Sequence, residues 1–214
     1  MSNVPIPFRL YAVTDRGRLG GRALDDALAA LCGHGLRGVQ LREKDLEEAE
    51  LERLAALCRP VMDRFRVAWL VNGPSRLAAR VGATGVHLAA SGDVPSARAV
   101  VGPEALVGKS AHTAAEARDA AGAGADFVVV GPVFATPSKA PFGPPLGLDT
   151  LRAACTAAAP VPVFAIGGVT PERARACRDA GAHGVAAQSA LMSAGASVAA
   201  ADVLAQYAEA LGGL

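Results

Sequence analysis

His112 lies in the run KSAHT (109–113), close to Ser110 and one residue before Thr113. An imidazole there titrates near neutrality, as a general acid/base should, provided that it opens onto a cleft. A surface histidine flanking a helix cap is the plainer alternative. Gln40, Arg42 and Lys44 alternate with Val39 and Leu41. In an extended segment this spacing puts three long polar groups on one face and the apolar pair on the other. The trio is either a solvated strand end or a grip for an anionic ligand. Ile166, Gly167, Gly168, Val169 and Thr170 form one small-residue run, and Ala187, Gln188 and Ser189 form another. Glycine lets a backbone come close to a ligand, and N–H groups at a helix start point at an anion, so the pair of runs suits phosphate. Each run alone could be only a tight turn. The other histidines suit structural roles: His87 within an apolar run, His34 and His183 in turns.

These groups meet only if a scaffold carries them to one place. Runs rich in β-formers recur at 9–14, 36–42, 67–72, 84–88, 105–110, 126–131, 161–167 and 183–188, with helical stretches between them. Eight strands with seven or eight helices imply a parallel sheet closed into a (β/α)8 barrel, an α/β fold of one domain over residues 1–214. HGLRGVQL, VGATGVHL, AGADFVVV and AGAHGVAA each place a glycine at a helix end, then a short turn, then a strand. They read as one αβ loop used four times. Thr113 with Glu116 has capping-box spacing, and Thr170 with Pro171 puts a cap before a proline at the first helical position. On this barrel His112 follows strand five, Gly167 and Gly168 follow strand seven, and Gln188 and Ser189 follow strand eight. All then lie at the C-terminal mouth, where barrel enzymes work. Five prolines and a glycine in PVFATPSKAPFGPP (132–145) forbid regular structure, and this loop after strand six would overhang the same mouth.

Composition narrows the partners. A net charge of +1 without a basic run argues against nucleic acid or a membrane surface and leaves a small molecule. Aromatics make up only 4% of a chain that is 51% hydrophobic, which predicts a core of small residues rather than aromatic clusters. Cys32, Cys58, Cys155 and Cys177 lack CxxC spacing and read as reduced thiols in helices. The first residues lack a signal pattern, and no apolar stretch has membrane-spanning length, so a cytoplasmic protein is expected.

YAVTD (11–15), VQLREK (39–44), GVHL (85–88), GPVF (131–134) with Thr136, Ser138 and Lys139, and AIGG (165–168) together resemble the thiamine phosphate synthase/thiazole tautomerase superfamily. The resemblance spans nearly the whole chain and implies a phosphorylated thiazole as ligand, and a homodimer. In the synthase a pyrimidine pyrophosphate loses pyrophosphate to a thiazole phosphate, with magnesium held by two acidic residues. Here the first of these positions is Gly73, after Asn72, and the second carboxylate is displaced by one place, to Asp93. Magnesium demands hard oxygen ligands in near-octahedral geometry, so both departures weaken the site. The Asn72-Gly73 pair, the Ser91-Gly92 pair and the segment ending at His112 look instead like the tautomerase branch. There the histidine matching His112 moves a proton from the ring carbon bearing a carboxylate to an exocyclic carbon, making the ring aromatic.

That branch implies an isomerase with neither metal nor cofactor. Its substrate would be held by Gln40, Arg42, Lys44, Asn72, Ser110, Thr136, Ser138 and Lys139, and its phosphate by Gly167, Gly168, Gln188 and Ser189. Thr136, Ser138 and Lys139 are closer to the synthase pattern, which keeps a magnesium-dependent synthase as the alternative. A sensor that binds the ligand without turnover is a third.

Overall fold

The computed structural model describes residues 5–136, 143–195, 197 and 199–214. Strands and helices alternate: β1 (Leu10–Val13), α1 (Leu24–Gly33), β2 (Gly38–Leu41), α2 (Glu48–Phe65), β3 (Ala68–Val71), α3 (Ser75–Val81), β4 (Gly85–Leu88), α4 (Val94–Val101), β5 (Leu106–Ala111) and α5 (Ala114–Gly122). There follow β6 (Phe127–Val130), α6 (Gly147–Ala158), β7 (Val163–Ile166), α7 (Pro171–Asp179), β8 (Gly184–Ala187), α8 (Ser189–Gly195) and α9 (Ala200–Leu211). Neighbouring strands pair in parallel and in chain order, and β8 closes on β1 with Val185 opposite Leu10. The sheet is therefore a barrel without an edge. All eight expected strands are present. A short 3-10 turn at Arg16–Arg18 and a second helix after β8 are additions to the expected pattern.

Parallel strands covered by helices outside and side chains inside are buried on both faces. Outward Leu10, Val39, Leu41, Val71, Val86 and Val128 pack with the helices in one large cluster. Inward Tyr11, Val13, Leu70, Leu106, Phe127, Val129 and Phe164 fill the barrel together with Phe8. The expectation of a core free of aromatic clusters is corrected here. Phe8, Tyr11, Phe127 and Phe164 meet ring to ring, with centroids from 5.2 to 6.1 Å apart. Composition averages over the chain, whereas inward parity gathers its few rings in one small volume.

The repeated αβ loop is real. Gly35, Gly82, Gly124 and Gly181 take φ of +107°, +68°, +92° and +99°, the left-handed conformation that ends a helix and feeds the next strand. At α5 the Thr113 hydroxyl accepts from the Glu116 N–H at 3.1 Å. The Glu116 carboxylate reaches one residue further back than a capping box requires and accepts from the His112 N–H at 2.6 Å. The four cysteines are free, with Cys32, Cys58 and Cys177 buried and Cys155 half-buried.

Candidate active site

A polar layer rests on the aromatic floor of the barrel. Gln40 points inward from β2 and donates from Nε2 to the Tyr11 hydroxyl at 3.4 Å. His87 points inward from β4, 3% exposed, with its ring centroid 5.9 Å from those of both Tyr11 and Phe127. Its Nε2 lies 3.1 Å from Ser110 Oγ on β5, and Asn72 donates from Nδ2 to its carbonyl at 3.2 Å. Burial, reinforced by the Arg42 charge, pushes the His87 imidazole down to about 3, so the ring is neutral.

Ser110 and Asn72 thus bond to His87, with the Arg42 charge acting on it, at a residue that the sequence suggested for packing or for filling a hydrogen bond. The missed signal was parity: with Val86 and Leu88 turned to the helices, His87 must face the barrel.

The alternation expected through Lys44 ends with the strand at Leu41. Arg42 is half-buried, its N–H bonded to Thr14 Oγ1 at 2.9 Å. Burial lowers the pKa of its guanidinium, while Asp15 and Glu43 oppose the shift. Glu43 is buried and accepts from the N–H and Nε of Arg16 at 3.1 and 3.3 Å, tying the β1–α1 connection to the end of β2. Lys44 is exposed in the turn that follows. Glu43 carried no functional expectation, because an acid between two bases reads as a solvated end until its burial is known.

His112 stands exposed on the rim, two residues beyond Ser110 and just past the end of β5. Its Nδ1 lies 2.6 Å from the Gly131 carbonyl oxygen. A carbonyl only accepts, so in the neutral ring Nδ1 carries the hydrogen and Nε2 keeps a basic lone pair. Thr136 is half-buried in the connection after β6, while Ser138 and Lys139 lie outside the described residues.

Gly167 and Gly168 have φ of +95° and +63°. A Cβ at 168 would stand 2.6 Å from the Ala135 carbonyl oxygen, and one at 167 would stand 2.5 Å from Pro132 Cα. Both glycines therefore make room for the connection after β6. The Gly167 carbonyl accepts from the Phe134 N–H at 2.9 Å, Gly168 from Arg173 at 2.8 Å, and Val169 from the buried Tyr207 hydroxyl at 2.9 Å. Across each planar trans peptide the next N–H points the opposite way. The N–H groups of Gly168, Val169 and Thr170 thus face away from those partners. Gln188 donates from Nε2 to the Thr14 carbonyl at 3.3 Å, and exposed Ser189 begins α8.

Residues 10–191 match the family model described as thiamine monophosphate synthase. The chain belongs to that family. Membership places it among enzymes of thiamine biosynthesis. A Geobacter sulfurreducens protein, provisionally named a thiamine-phosphate synthase, is 43% identical over 87% of this chain and 88% of its own. The thiamine-phosphate synthase of a Roseiflexus species is 38% identical over 89% of this chain and 83% of its own. Among solved structures, thiamine phosphate pyrophosphorylase from Pyrococcus furiosus superposes with a TM-score of 0.82 at 27% identity, covering 95% of this chain and 96% of that one. These names point to a transferase, and none carries the isomerase expected from the sequence.

The magnesium expected of a synthase in this family does not fit the carboxylates present. Gly73 offers no ligand, and the exposed Asp93 caps α4 by accepting from the Ser96 N–H at 2.9 Å. The Ser96 bonds and the Lys109 charge hold its carboxyl below the usual range. Among the described residues no three His, Cys, Asp or Glu side chains could together hold a metal ion.

Proposed function

We propose that this family member is a thiazole tautomerase. His112 takes a proton from the ring carbon bearing a carboxylate and returns it to an exocyclic carbon of the same phosphorylated thiazole. The supporting observation is the bond from His112 Nδ1 to Gly131, which leaves Nε2 as the free base at the mouth. One base suffices, since the proton leaves one carbon and arrives at another of the same molecule, with no leaving group. Negative charge grows on the carboxylate as the proton departs. Half-buried Arg42, where the effective dielectric is lower than in water, stabilises it, with Lys44 as a second cation.

Gln40, Asn72, Ser110, Thr136, Ser138 and Lys139 bind the substrate, and Gly167, Gly168, Gln188 and Ser189 take the phosphate through N–H groups. The reaction needs neither metal nor cofactor. The protein works in the cytoplasm as a homodimer, and sedimentation velocity checks the oligomeric state. Among the described residues, no helix is long and apolar enough to cross a membrane.

The second reading, thiamine-phosphate synthase, is favoured by the names of relatives at 38% and 43% identity. Against it stands the carboxylate set around Gly73 and Asp93. The deciding assay offers the purified chain either a carboxythiazole phosphate, or a thiazole phosphate with a pyrimidine pyrophosphate, each with and without magnesium. A tautomerase isomerises the first without metal. Thiamine phosphate formed from the second pair would replace this reading with the synthase, and tight binding without conversion of either would replace both with a sensor.

A further inference from the structure

Buried His87 pairs with half-buried Ser110, which lies two residues before the proposed base in the chain, and His87 Nδ1 has no hydrogen-bond partner among the described residues. A neutral imidazole carries a single N–H. A buried N–H without an acceptor is rarer and costlier than a buried lone pair without a donor, so the hydrogen sits on Nε2 and is donated to Ser110 Oγ. Ser110 cannot then give its own hydrogen to His87. Its hydroxyl is left to donate elsewhere, on the inward face near the end of β5. The backbone at Gly108 is cut to receive this ring: a Cβ there would lie 2.8 Å from His87 Nδ1. The groups facing the ring are Tyr11, Phe127 and Ser110, with the Arg42 charge opposing its protonation.

We propose that His87 is a positioning residue that holds the Ser110 hydroxyl as a hydrogen-bond donor to the substrate's carboxylate, beside the Arg42 charge. The donor strengthens as negative charge builds on that carboxylate during proton removal, so it acts mainly on the rate. This assignment rests on the tautomerase reading for the identity of the acceptor, while the direction of the His87–Ser110 bond does not.

The two parts are separated by experiment. Side-chain 15N NMR of the whole chain should find His87 as the Nε2–H tautomer, with no titration between about pH 5 and 8. An Nδ1–H tautomer, or a midpoint near neutrality, overturns the proposal whatever the activity proves to be.

For the acceptor, Ser110→Ala should weaken binding of a carboxylated thiazole phosphate and leave its decarboxylated analogue unchanged. Equal weakening of both overturns it. In kinetics Ser110→Ala should lower kcat by about 10–100-fold, a larger effect than the accompanying rise in KM, toward the scale of a lost oxyanion donor. His87→Leu should match that loss and add nothing to it in the double variant, whereas His87→Gln, which keeps a donor, should restore most of the rate. Fully additive losses, or an unimpaired Ser110→Ala, count against the proposal. If His87→Leu does not fold, the tautomer and the Ser110→Ala measurements decide alone.

Discussion

A histidine serves as a base through whichever nitrogen its neighbours leave free. At His112 the Gly131 carbonyl makes that choice. His112→Asn should therefore cut turnover by about 10²–10⁴-fold with little change in ligand affinity, read by steady-state kinetics beside calorimetric binding. His87 is the reverse case, a buried ring kept neutral. In the unfolded chain it takes a proton below about pH 6.5, whereas the folded chain holds it off until about 3. Between those values the unfolded state binds more protons, so stability should fall as pH drops from about 6.5 toward 3. Thermal melts across that window should show a shallower acid limb in His87→Gln, and an unchanged limb would mean that His87 is not the group responsible. Gly168 carries two demands at once, its left-handed φ and its clearance from Ala135. Gly168→Val should destabilise by about 1–3 kcal/mol and weaken the phosphorylated ligand much more than the dephosphorylated one, and equal weakening of both would count against the phosphate's placement here. Ser189→Asp, at an exposed helix start, should weaken only the phosphorylated one, and calorimetry with the two ligands checks both variants.

At the scale of elements, the barrel's lower end is held by charge as well as by apolar packing. Asp126, just before β6, accepts from the Val107 N–H at 2.7 Å and from Arg98 at 2.5 Å, and Arg98 also donates to the Ala105 carbonyl. This joins the end of α4 to the starts of β5 and β6. Removing one member of a largely buried pair strands the other, so Asp126→Ala should cost about 3–5 kcal/mol in denaturant melts. Activity per folded molecule should survive, since the mouth is at the opposite end of the strands. The exposed pair of Arg118 and Asp119 offers the contrast: Arg118→Ala should change stability by less than about 1 kcal/mol. Asp93→Ala removes a helix cap and should lower stability in the same melts. Calorimetric titration should find no tight magnesium site in either the parent or this variant, and a site lost with Asp93 would revive the synthase.

Over the whole molecule, two cores divide the work. The outer one, between strands and helices, is mostly aliphatic and alanine-rich, with Trp69 and Tyr207 among it, while the inner one stacks aromatic rings under the polar layer of Gln40, His87 and Ser110. The inner core therefore gives the site a buried apolar floor, and the strand ends and the connections above them supply its chemistry.

The sequence by itself determined the eight strands, their parallel order and the turns at Gly35, Gly82, Gly124 and Gly181, because period-two burial and left-handed glycines are local signals. It also marked His112, Arg42 and the glycine pair as residues of one mouth, since strand order alone assigns them to it. Only the tertiary structure decided the rest. His87, expected to pack or to fill a hydrogen bond, proved to be bonded to Ser110, Glu43 proved to be a buried anchor for Arg16, and the glycines at 167 and 168 proved to be spaces for Pro132 and Ala135. Each of these rests on contacts between residues 23 to 35 positions apart along the chain, where no local pattern records which neighbour the closed barrel will bring.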